Sequence, residues 1–105
     1  MSISTANVTT ATANVFAANS SNTAITFLSL CNYSASNVTA NVFVVPSGGS
    51  PSNLNLSVSN VIITTGDTFQ FYAGNEKLVL DVNDSIQVST SANNAIAAVV
   101  SYTLV

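Results

Sequence analysis

Charge is what this chain has least of. Its 105 residues include four acids and a single cation, Lys77, with no arginine, no histidine and no tryptophan. Soluble domains are about 25% charged, so a chain at 5% must build its surface from hydroxyls, amides and methyls. One cation cannot neutralise a run of phosphates, which excludes nucleic acid as a partner. The same shortage removes any electrostatic hold on an anionic membrane. No apolar run approaches the ~18 residues of a spanning helix, and the stretch after Met1 lacks the basic-then-apolar order of a secretory signal. Without histidine, Ser–His and Cys–His nucleophile systems cannot be assembled and zinc finds no ligand set. Cys31 has no partner for an internal disulfide, which fits a reducing compartment and is also compatible with a processed secreted form.

Small polar and small apolar residues take the place of charge. Ser, Thr and Asn fill 42 positions and Val and Ala another 27. With 48% apolar residues and a net charge of only −3, the composition is opposite to that of disorder. The length suits one domain. A monomer of this size buries only about two-thirds of its unfolded surface, and a weakly charged β-rich exterior guards poorly against association. The composition therefore points to assembly with other protein.

Period-two alternation dominates, and nothing reads as a helix. In Thr23–Cys31 the alternation sets Ile25, Phe27 and Ser29 against Thr26, Leu28 and Leu30. Asn37–Val45 sets Val38, Ala40, Val42 and Val44 against Thr39, Asn41 and Phe43. Leu54–Ile62, Asp67–Ala73, Lys77–Val82, Ser85–Thr90 and Ala95–Leu104 continue the pattern, and Thr12–Ala17 brings the total to about eight strands. Turn formers separate them at Asn32–Asn37, Pro46–Asn53, Thr65–Asp67, Gly74–Glu76, Asn83–Asp84 and Ala92–Asn94. Short strands with turns at this spacing predict an all-β fold: a single antiparallel β-sandwich, jelly-roll-like.

Residues 1–22 differ from the rest, being an Ala/Thr/Asn/Ser mixture with few large side chains. They read as an N-terminal arm or an exchanged strand, with the sandwich domain at 23–105. The arm's apolar residues, Ile3, Val8, Val15 and Phe16, are then the candidate assembly interface. Thr12–Phe16 recurs as Thr39–Phe43, a match that shared strand chemistry explains more simply than duplication.

The remaining constellations have ordinary structural explanations. Cys31 ends an apolar strand and reads as a buried inert thiol. A Ser–Lys pair would need Lys77, which follows Glu76 and suits a solvated or ion-paired strand start. Asp67, Asp81 and Asp84 read as turn caps rather than an acid–base pair, and Asp81, Asn83 and Asp84 lack the spacing of a calcium loop. Gly48–Gly49 has no following Lys and does not make a phosphate loop. Six Asn-x-Ser/Thr sequons are what so Asn-, Ser- and Thr-rich a chain produces by chance. Tyr33 and Tyr72 are the candidate sugar platforms, with core packing the simpler role for the aromatics. No catalytic residue, metal or cofactor is expected.

Leu30–Ala35 (LCNYSA), Val42–Gly49 (VFVVPSGG), Thr65–Phe69 (TGDTF), Glu76–Leu80 (EKLVL), Asp84–Val88 (DSIQV) and Val100–Tyr102 (VSY) occur in an order that resembles a family of small virion structural proteins of tailed bacteriophages, including phages of marine cyanobacteria. The likeness covers the chain from Leu28 onward. Members often carry Gly-Asp before the Ile-x-Val strand where this chain has Asn83–Asp84, and Asn tolerates the left-handed conformation that such a turn needs. The resemblance implies a non-enzymatic particle component. The expectation is a capsid decoration or cement protein in a trimer or another small ring, its partners being itself and the major capsid or other virion proteins. Neck, tail or fibre accessory proteins and receptor- or glycan-binding tip modules are the alternatives. An arm-mediated cement predicts that deleting Ser2–Thr10 abolishes particle binding and leaves the fold intact.

Overall fold

The computed structural model describes residues 2–18, 21–71 and 78–104. Among the described residues nine strands form in chain order: β1 (Ser2–Val8), β2 (Ala13–Ala17), β3 (Thr23–Asn32), β4 (Val38–Val45), β5 (Leu56–Ile63), β6 (Thr68–Phe71), β7 (Leu78–Leu80), β8 (Ser85–Thr90) and β9 (Ile96–Leu104). Among the described residues there is no helix, so none is long and apolar enough to cross a membrane.

Every pairing among the described residues is antiparallel. One sheet has the order β1-β9-β3-β6, with β7 pairing the start of β3, and the other has the order β2-β8-β4-β5. The pairs β1–β9, β2–β8, β3–β6/β7 and β4–β5 nest inside one another. The chain is thus one long hairpin whose ladder is wound over two sheets, with its tip at the loop after Val45. The all-β sandwich expected from the alternation is what forms.

The core lies between the sheets. Ile25, Leu28 and Leu30 of β3 meet Ile96, Ala98 and Val100 of β9, and the other sheet contributes Val38, Ala40, Val42, Ile86 and Val88. In β4 the alternation holds through Val42, with Val38, Ala40 and Val42 inward and Thr39, Asn41 and Phe43 half-exposed, and beyond it Val45 is buried where the alternation expects Val44. In β3 it does not. The β3–β9 register slips between Ile25 and Phe27, and Thr26 turns its hydroxyl to the Ser101 carbonyl at 3.1 Å. That extra residue puts Ile25 on the same inner face as Leu28 and Leu30, and leaves Phe27 half-exposed. A bulge re-aims every side chain beyond it, which period-two reading cannot foresee.

The N-terminal segment is not an exposed arm. β1 and β2 take places in both sheets of the same chain, and Val8, Val15 and Phe16 are 3%, 6% and 9% exposed. The Phe16 ring lies 4.6 Å from that of Tyr102. Since β1 fills the slot beside β9, an exchanged strand would occupy the same position and bury the same residues.

Candidate assembly surface

The N-terminal segment is held by amides. The Asn7 side chain accepts from the Tyr33 hydroxyl at 2.9 Å and donates to the Asn94 Oδ1 at 2.9 Å. Thr10 donates its backbone N–H to Asn93 Oδ1 at 2.8 Å, and Thr90 donates to the Thr9 carbonyl at 3.1 Å. The β1–β2 connection is therefore clamped to the β8–β9 turn, where Asn94 adopts a left-handed φ of 54° that few residues other than Gly tolerate. The Asn93–Asn94 pair is legible in the sequence as a turn. Its role as a clamp is not, because the partners lie more than 80 residues away.

Of the four candidate interface residues, Val8, Val15 and Phe16 are committed to the chain's own core, and only Ile3 presents apolar surface, at 69% exposure. The core position of Val8 also changes what truncation does. Removing Ser2–Thr10 takes away a seven-residue ladder and a buried valine, so an intact fold is not expected of that deletion.

Among the described residues, the outer face of the first sheet carries no charge. Ile3, Thr5 and Asn7 of β1 lie beside Ser101, Val99 and Ala97 of β9, and these in turn beside Phe27, Ser29 and Cys31 of β3. Cys31 is half-exposed on this face rather than buried. Two shallow grooves flank β1, one of about 400 Å³ on the core side against Asn14, Phe16 and Tyr102, the other of about 440 Å³ on the outer side against Tyr33, Ala97 and Val99.

No protein-family model, curated protein or solved structure matches this chain.

Asp84 caps backbone N–H groups and Asp67 caps a turn hydroxyl. Asp84 accepts the Ser47 N–H at 2.8 Å through Oδ1 and the Asp81 N–H at 3.0 Å through Oδ2, while Asn83 sits at φ 73° in the turn between them. Asp67 accepts the Thr64 hydroxyl in the turn before β6. These are turn caps, as the sequence suggests. Among the described residues no three of His, Cys, Asp and Glu gather into a metal-binding group. Tyr33 is 54% exposed and lines the outer groove. Tyr72, Glu76 and Lys77, and with them the second sugar platform and the Ser–Lys reading, lie outside the described residues.

Proposed function

We propose that this chain is a non-enzymatic structural protein of a virus particle, and within that class a capsid decoration or cement protein that stabilises the shell by contacts with itself and with the major capsid protein. The observation that carries the reading is the nested pairing β1–β9, β2–β8, β3–β6/β7 and β4–β5 over two sheets. We read that winding as jelly-roll-like, and the jelly roll is an architecture used repeatedly in viral capsid proteins. The neutral outer face supports it further, because contacts made by methyls and amides are indifferent to ionic strength. Many copies bound to the assembled shell stabilise it by mass action without any chemical step.

Lectin domains use the same architecture. The exposed Tyr33, its hydroxyl fixed by Asn7, therefore favours a glycan-binding module at a tail or fibre tip as the second reading.

Immunogold electron microscopy of purified particles, with an antibody to this chain, separates the two. Label spread over the shell is the expected result. Label confined to the neck, tail or fibre tips moves the assignment to the second reading. Absence of label with the epitope shown to be accessible overturns both.

A further inference from the structure

We infer that a second copy of this chain adds to the first sheet at β1, antiparallel and about a two-fold axis, with Thr5 opposite the partner's Thr5. The inference gives surface and symmetry to the self-association in the proposed function. It rests on that part of the reading alone and replaces the expected three-fold ring with a closed pair.

The edges are guarded unequally. A free edge strand is a template for another strand unless it is short, bulged, charged or proline-bearing. Along β5 the register with β4 slips twice, and along β2 the register with β8 slips between Asn14 and Phe16. On the far side of the first sheet the described edge is divided between two strands, β6 along the end of β3 and β7 along its start. In contrast, β1 pairs β9 over seven residues with no slip, and it carries no charge and no proline. Among the described residues it is the one edge without such a device.

The occupant follows from complementarity. The chain carries a net charge of −3, so copies repel wherever their acids meet. The described acids Asp67, Asp81 and Asp84 lie in turns, and β1 pairing with itself brings no like charges together. The register that overlaps all of Ser2–Val8 sets Thr5 against the partner's Thr5 and Ile3 against the partner's Asn7. Residues directly opposite one another in an antiparallel pair share a face. Each exposed Ile3 then falls beside the partner's Asn7, at the outer groove lined by Tyr33 and Ala97. The two grooves flanking β1 receive alternate side chains of the added strand, as in other strand-addition sites. The contact is self-complementary and closes as a dimer rather than growing into a fibre.

The test uses sedimentation velocity on the full chain, on Thr5→Lys, on Thr5→Glu and on an equimolar mixture of the two variants. Thr5 is exposed, so both substitutions leave the core untouched. The wild type is expected to be a dimer, and each variant to raise its dissociation constant at least about tenfold, because one substitution opposes two like charges. The mixture is expected to recover the dimer, since Lys then faces Glu. A monomeric wild type, an assembly indifferent to either charge, or a mixture no tighter than its components overturns the pairing. Should a charged variant lose the β-sheet circular dichroism of the wild type, Ile3→Ser takes its place, and unchanged dimerisation in that variant overturns the inference. A dimer that passes these tests while particles carry no label refutes the virion assignment and leaves the pairing standing. Shell label with a monomeric chain does the reverse.

Discussion

Asn60 donates its backbone N–H to Oδ1 of Asn41 at 2.7 Å while its own backbone lies in the left-handed region, at φ 51°. The pair marks where β5 carries an extra residue against β4: Ala40 faces Val61, but Val42 faces Val58. The slip changes which side chains point inward, so that Ile63 is buried while Ile62 is 66% exposed. It also blunts this edge of the second sheet.

Substitutions at Asn60 test this device. A β-branched residue is costly at positive φ, so Asn60→Val is expected to destabilise the fold by about 1–3 kcal/mol. Asn60→Gly, which adopts the same backbone freely, should stay within about 0.5 kcal/mol of wild type. Urea unfolding midpoints at a common slope measure both. Equal effects of the two substitutions would show that the left-handed geometry is not what Asn supplies here.

Asn32 is completely buried, and its amide is fully occupied. It donates to the Ile63 and Ser36 carbonyls at 2.8 and 2.9 Å, and accepts from the backbone N–H and hydroxyl of Ser34 at 2.9 and 2.7 Å. Asn32→Ala leaves the Ile63 carbonyl buried without this donor and is expected to cost on the order of 2–4 kcal/mol. Asn32→Asp places a carboxylate against two carbonyl oxygens, a burial that favours the protonated form. Its deficit is therefore expected to shrink as pH falls through the carboxylate range, whereas that of Asn32→Ala should not. Parallel urea curves at neutral and acidic pH distinguish the two variants.

The N-terminal segment divides into core and surface, and thermal melts should resolve the division. Phe16→Ala removes a ring that is 9% exposed and packed on Tyr102, and should cost about 3–5 kcal/mol. Ile3→Ser, at a site 69% exposed, should stay within about 0.5 kcal/mol. Deleting Ser2–Thr10 strips Val8 from the core and the ladder from β9, and a loss of about 1.5–3 kcal/mol from the valine alone should lower Tm by about 10 °C or more. A truncated chain melting with the full-length protein would return this segment to the role of a detachable arm.

How far the sequence could be read depended on how far apart the cooperating residues lie. Alternation in Asn37–Val45 groups Val38, Ala40, Val42 and Val44 on one face, and the first three are core, because a strand's two faces follow from its own residues until its register slips. Turn chemistry located Asp67, Asp84 and the left-handed Asn83 for the same reason. Alternation sets Ile25 opposite Leu28 and Leu30, and the bulge at Thr26 that brings it to their face depends on β9, about 75 residues away. The candidate interface differs from the structure for a similar reason. Val8, Val15 and Phe16 sit in a stretch with little bulk of its own, and only the strands brought against them make it core.

The amino-acid order by itself determined the class of fold, the turns and the near absence of charge, since each depends on local conformational preference or on composition. Tertiary structure alone decided that Ser2 stands opposite Tyr102, that Val8, Val15 and Phe16 turn inward while Ile3 stays exposed, and that β1 is left as the unguarded edge. The reason is physical: a strand's backbone can pair on either side with any compatible strand, and which side remains open is settled only when all the others have been placed.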